Sequence, residues 1–149
     1  MITDATRISI YDYMASVFDG MTANIYPMSE PAETTSDDVE NGFLVTNVGD
    51  VVDESEFDGD AYGWVRCYVT AYVPKKTRGR LNKELYKTFE DDINASIKDN
   101  TGLNNDGGYY IQEDSVLSME GSSNEQKGNQ YHLFVKSFVV VIDQQSSNS

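Results

Sequence analysis

A chain of 149 residues is long enough to bury a real core and short enough to be read as one domain, and its 39% hydrophobic and 24% charged content is that of an ordinary globular protein. No apolar run approaches the ~18 residues of a membrane span, and the amino terminus lacks the basic start and short apolar core of a secretory signal. The net charge of −14 is uneven: residues 1–65 hold 14 acids and one base, whereas the rest holds 11 acids and ten bases. Such a chain does not bind nucleic acid by counterion release, which needs Lys and Arg against phosphates.

From the amino terminus, residues 1–8 read as an arm. Ser9 is an N-cap candidate with Asp12 three residues later and Ile8 able to staple onto Tyr13. Ile10, Met14, Val17, Phe18 and Met21 then share one helical face, predicting a first helix over residues 9–19. Asn24-Ile25-Tyr26-Pro27 reads as a short extended piece, and the missing N–H of Pro27 puts it at a sheet edge. Residues 29–42 are rich in Pro, Ser, Thr and acids and read as a long acidic loop. Residues 43–48 form a strand that residues 51–57 extend, and Asp58-Gly59-Asp60 is a hairpin turn.

The next strand, Trp64 to Val73, alternates on two faces. Val65, Cys67, Val69, Ala71 and Val73 are small and apolar, suited to packing under a helix. Trp64, Arg66, Tyr68, Thr70 and Tyr72 are large and amphipathic. Beyond Pro74 comes a basic turn, then Leu81, Leu85, Phe89, Ile93 and Ile97 at helical spacing, predicting a second helix over about residues 80–99 that stops at Gly102. Residues 104–108 are a turn cluster. Residues 109–112 and 116–120 read as strands, residues 121–129 as a polar hairpin loop and residues 130–143 as the last strand. That strand is apolar on both faces and so is central or covered. Residues 144–149 are a polar, disordered tail beyond a single α+β domain of residues 1–143. The expected architecture is a mostly antiparallel sheet of about four to six strands with two main helices.

No catalytic signature stands out. His132 is the only histidine and lacks the partners that a general base or a zinc site requires. Cys67 is the only cysteine, which rules out an internal disulfide, fits a reducing compartment and reads as a small buried residue. The acidic stretch 50–60 fails the EF-hand pattern, because Phe57 falls at a ligand position; a looser divalent site at Asp58 and Asp60 stays open. No cofactor or metal is assigned. Two surfaces stand out. The aromatic face of Trp64, Tyr68 and Tyr72 is either an interface or simply the seat of the first helix. Lys75, Lys76, Arg78, Arg80 and Lys83 put five bases within nine residues, which fits the acidic part of another copy better than a nucleic acid.

In element order, in length, in the Ile25-Tyr26-Pro27 passage and in the strand–basic turn–helix passage, residues 9–143 resemble the tail-terminator, tail-completion and head–tail connector proteins of tailed bacteriophages. The resemblance implies a ring, hexameric or dodecameric, in the neck or tail of a virion assembled in the host bacterial cytoplasm. Its neighbours would be portal, adaptor or tail proteins. DNA would pass through the lumen without being specifically bound, and no membrane or enzymatic step would be involved. On this reading Lys75, Lys76, Arg78, Arg80, Trp64, Tyr68, Tyr72, Asp53, Glu54 and Glu56 form subunit contacts. Glu30, Glu33, Asp37, Asp38 and Glu40 then line the lumen or a joint. The alternative is an acidic DNA mimic, or another protein-binding module, acting on a host protein.

Overall fold

The computed structural model describes residues 2–56, 61–102, 107–120 and 130–144. The chain is an α+β protein whose sheet has six strands and does not close. The elements run α1 (Asp4–Val17), β1 (Asn24–Pro27), α2 (Ser36–Asn41), β2 (Phe43–Asp53), β3 (Ala61–Pro74), α3 (Lys83–Asp99), β4 (Tyr109–Ile111), β5 (Leu117–Glu120) and β6 (Tyr131–Gln144), with a 3-10 turn at Thr77–Gly79 after β3. Strand order is β1-β2-β3-β6-β4, with β5 also on β6. All pairs are antiparallel except β1 with β2. The predicted turn at Asp58 to Asp60, the loop 121–129, most of the turn cluster 104–108 and the tail beyond Gln144 lie outside the described residues.

The sheet separates the two side-chain sets of β3. Val65, Cys67, Val69, Ala71 and Val73 are buried in one cluster with Ile10, Met14, Val17 and Phe18 of α1 and its C-cap, and with Phe89, Ile93 and Ile97 of α3. Both long helices therefore cover the same face. Phe18 meets Phe138 of β6 edge-on at 6.1 Å, both fully buried, and each such side chain contributes about 1.5–3 kcal/mol by leaving water. The last strand is central, between β3 on one side and β4 and β5 on the other.

Three expectations need correction. The first helix starts five residues earlier than residue 9, because Thr3 and Thr6 form the capping box. The Ser9 hydroxyl donates instead to the Thr6 carbonyl oxygen at 2.8 Å, so residues 4–8 are helix and not arm. The stretch 29–42 contains a helix, α2, capped by Thr35, whose hydroxyl accepts from the Asp38 N–H while the Asp38 carboxylate accepts from the Thr35 N–H. Finally, β6 runs through Gln144, which pairs with Ala61.

The β2–β3 ladder slips between Val48 and Val51, where Gly49 and Asp50 form a bulge. A bulge leaves backbone groups without ladder partners. Here α1 supplies them: Arg7 Nη2 donates to the Val48 carbonyl oxygen at 2.7 Å, and the Tyr11 hydroxyl accepts from the Val48 N–H at 3.1 Å. The one base of the acidic half is thus a structural tie.

Candidate functional site

Since α1 and α3 share one face, the face of Trp64, Arg66, Tyr68, Thr70 and Tyr72 is not the seat of the first helix. Its two ends differ. At the Tyr72 end, Phe43, Val45, Tyr72 and Tyr131 form a second buried cluster, with Phe43 and Tyr72 stacked at 4.4 Å and Tyr26 and Leu133 at its margin. Residues 28–42 lie over this end. The Tyr72 hydroxyl donates to Glu30 at 2.7 Å and the Tyr131 hydroxyl to the Asp38 carbonyl oxygen at 3.2 Å. At Gly42, where φ is +79°, a Cβ would stand 2.4 Å from the Tyr72 carbonyl oxygen, so only glycine returns this segment to the sheet.

Asp38 is the pin of the segment. It is fully buried, and its carboxylate accepts from the Tyr26 hydroxyl at 2.6 Å, the Asn24 amide at 2.9 Å and the Thr35 N–H at 3.1 Å. Burial by itself pushes its carboxyl up, but those bonds outweigh burial and the net displacement is downward. Tyr26 is pushed up to about 12 by burial and by the Asp38 carboxylate it bonds. Burial and Glu30 raise Tyr72, and burial with the nearby Asp38 and Glu30 charges raises Tyr131. Two residues expected at the surface are buried instead: Asp38 and Tyr72 are bonded inside one chain, to Tyr26 and Glu30. Glu30 is half-buried against Tyr72; Glu33, Asp37 and Glu40 are exposed, with Asp37 holding the Asn41 amide at 2.7 Å.

Lys76, Arg78 and Arg80 are exposed and Lys75 half-exposed, just beyond β3. Lys75 and Lys76 share a cleft of about 430 Å³ with Thr34, Val39, Gln130 and Tyr131, so the turn adjoins the acidic segment of its own chain. Asp53, Glu54 and Glu56 are exposed at the other end of β3, since Asp53 pairs with Gly63. At about 3.3 Å per residue the two ends are roughly 40 Å apart. Asp53 also accepts from the Ile2 N–H at 3.0 Å and the Ser55 N–H at 2.9 Å; its bonds to Ser55 and then Ile2 hold its carboxyl down at about 2.

Toward this acidic end the aromatic face is open. Trp64 and Tyr62 remain exposed and Tyr68 half-exposed. Register places Leu117 and Met119 of β5 and Val135 and Val141 of β6 on the same side, with Leu117 55% and Met119 46% exposed. A groove of about 510 Å³ runs along it, lined by Glu54, Tyr62, Trp64, Arg66, Tyr110 and Val141 among others. Arg66 Nη1 donates to Ser137 Oγ at 3.0 Å and to the Ser115 carbonyl oxygen at 3.2 Å. Sequence reading missed the β4, β5 and β6 half of this face. The signal was present in the last strand, whose apolar second face no predicted helix remained to cover.

Other chemistry-bearing residues serve packing. Cys67 is buried, which pushes its thiol up to about 12 against the weaker pull of Arg66 and Arg7. His132 is shifted down by burial, then by Lys75, and its Nδ1 is buried without a hydrogen-bond partner. Lys136 is buried on the helix side, 2.5 Å from Ser118 Oγ and 3.4 Å from Glu90 of α3. Neither Lys136 nor Ser118 lines any of the clefts described above. Among the described residues, no three His, Cys, Asp or Glu side chains gather in a way that could hold a metal ion, and no helix is long and apolar enough to cross a membrane. The possible divalent site at Asp58 and Asp60 falls outside the described residues. No protein-family model matches the chain, and no curated protein matches it.

Proposed function

We propose that this chain is a structural, non-catalytic subunit of a tailed-bacteriophage particle. Copies assemble into a hexameric or dodecameric ring at the head–tail junction or the tail end, beside portal, adaptor or tail proteins, after synthesis in the host cytoplasm. The observation that carries this reading is the placement of charge along β3. Exposed Asp53, Glu54 and Glu56 stand at one end and Lys75, Lys76, Arg78 and Arg80 at the other, about 40 Å away. Charges so separated do not pair within a chain, whereas a head-to-tail neighbour brings them together, and head-to-tail contacts close into rings when the rotation permits. Glu33, Asp37 and Glu40 are exposed too, and carboxylates lining a lumen give a passing DNA no cation to bind, so it slides. Exposed acids also lie on α1 (Asp4, Asp12) and α3 (Glu84, Asp91, Asp92, Asp99), and assembly is preferred to DNA mimicry because the exposed bases beyond β3 have no part in imitating phosphates.

The test is sedimentation and negative-stain electron microscopy of the chain alone and with co-expressed portal and tail proteins. Rings are expected, and K75E/K76E/R78E is expected to weaken them, most at low salt where charge is least screened. A chain that stays monomeric under all these conditions, or one that displaces DNA from a host DNA-binding protein as a monomer, overturns the reading.

A further inference from the structure

Among the described residues, six of the ten large apolar side chains that remain exposed, namely Val52, Tyr62, Trp64, Val116, Leu117 and Met119, belong to the open sheet face or the edge that borders it. Exposed apolar residues scattered singly need no explanation, but two groups on one sheet face, flanking Arg66, do. This set spans four strand positions, from β2 to β4 and β5. At about 4.8 Å between strands and about 3.3 Å per residue over eight residues, the flat area is about 500 Å². That is below the ~800 Å² that each partner of a standard specific interface buries, and Ser137 and Val139 at its middle are already buried, so the face suits a weak association. The shape is a shallow sheet surface and not the deep concavity that small molecules need.

We propose that this face binds the same face of a second copy, forming a two-fold pair. The charges within the groove select that occupant. Arg66 and Glu54 line one groove with opposite charge, yet they form no ion pair with each other. Both of the Arg66 side-chain bonds, to Ser137 and Ser115, are made by Nη1, and the groove around it is lined by Tyr62, Trp64, Tyr110 and Val141 together with Gln112. A two-fold axis requires that any residue contacting a second be contacted by it in return. A patch carrying one acid and one base among aromatic side chains meets that requirement, because Arg66 of each copy then faces the other's Glu54. The two sheets stack about 10 Å apart as in a β-sandwich, and each copy keeps its helices outside. The face shares Glu54 with the acidic end of the proposed ring contact, which keeps Asp53 and Glu56, so such a pair joins copies of two rings or forms without any ring.

Trp64 is the only tryptophan and stands on the face, which makes it the reporter. Between about 1 μM and about 100 μM the full chain is expected to show a blue shift of Trp64 emission and reduced acrylamide quenching, together with a mass doubling by light scattering. L117S/M119S alters two half-exposed side chains and is expected to raise the dissociation constant at least about tenfold with the melting temperature little changed. R66E and E54R are each expected to weaken pairing, and R66E/E54R to restore it, an outcome that a purely structural Arg66 does not give. The pairing persists at high salt and in K75E/K76E/R78E, which disrupts only the ring contact, so failure of one reading is distinct from failure of the other. Trp64 emission and quenching that stay constant over the concentration range overturn the pairing. So does a shift seen only on adding lipid vesicles or another protein, and so does a double charge reversal that fails to restore association.

Discussion

Replacing Asp38 by alanine takes the acceptor from three donors at once: the Tyr26 hydroxyl at 2.6 Å, the Asn24 amide at 2.9 Å and the Thr35 N–H at 3.1 Å. A hydrogen bond to a charged acceptor is worth about 1.5–3 kcal/mol, and loss of a helix cap adds about 1 kcal/mol. Against these stands the cost of burying the carboxylate, which the variant no longer bears, and the freedom of residues 28–42 to loosen and re-solvate their donors. The net loss expected is about 3 kcal/mol, which at roughly 2–4 °C per kcal/mol for a chain of this size lowers the melting temperature by about 6–12 °C. Asp38→Asn keeps the shape and one carbonyl oxygen, so its loss is expected to be smaller. The pH dependence has a definite sign. The Asp38 carboxyl is held below its ordinary value in the folded chain, so its contribution is present above the unfolded value near 4 and is lost as pH falls through the folded one. The alanine variant therefore loses less than the parent between neutral and acid pH. Circular-dichroism melts at both pH values, with amide exchange over residues 28–42, provide the assay. An alanine variant that melts within about 2 °C of the parent, with residues 28–42 equally protected, refutes the pinning argument.

At the alkaline side, Tyr26 and Cys67 are each pushed up to about 12, and Tyr72 and Tyr131 are raised too. Groups whose folded values lie above their unfolded values stabilise fully below the latter, so stability is expected to hold to about pH 9–10 and fall steeply through about 12. Urea midpoints measured across that range check it, and Tyr26→Phe flattens the fall; a midpoint that is flat throughout contradicts it. For the pair Lys136 and Glu90, Lys136→Met is expected to lie within about 1 kcal/mol of the parent, because an apolar side chain of similar volume replaces a buried ion. Glu90→Ala is expected to cost about 1–2 kcal/mol by leaving the buried ammonium with Ser118 as its remaining close partner, and the reverse order in urea titrations refutes the assignment.

How far the sequence could be read depended on whether a pattern was local. The alternation of β3 and the spacing of Phe89, Ile93 and Ile97 are local and periodic, and they yielded the central strand, the second helix and the buried face nearly as found. The start of α1 was misplaced because two capping signals compete within seven residues, and Ser9 looks as good as Thr3 until its hydroxyl finds the Thr6 carbonyl oxygen. Thr35-Ser36-Asp37-Asp38 carries the same capping pattern that was sought at Ser9, but acids and prolines nearby concealed it. Burial of Asp38 and Tyr72 was beyond any local reading. It depends on Tyr26, Tyr131 and Glu30, brought together from separate elements. The open face was half legible, since β3 showed its aromatic side while its continuation through β5 and β6 needed the register between strands.

The parallel pairing of β1 with β2 gives residues 28–42 a topological duty. Two neighbouring strands that point the same way cannot be joined by a tight turn; the chain must travel the length of the pair before it can enter the second. The acidic stretch is that return path, and its small helix and its tyrosine ties are what keep the detour against the sheet. Shortening it to a few residues would not trim an ornament: it would oblige the first strand to reverse direction or abandon the edge, taking Ile25 out of the core and Tyr26 away from Asp38.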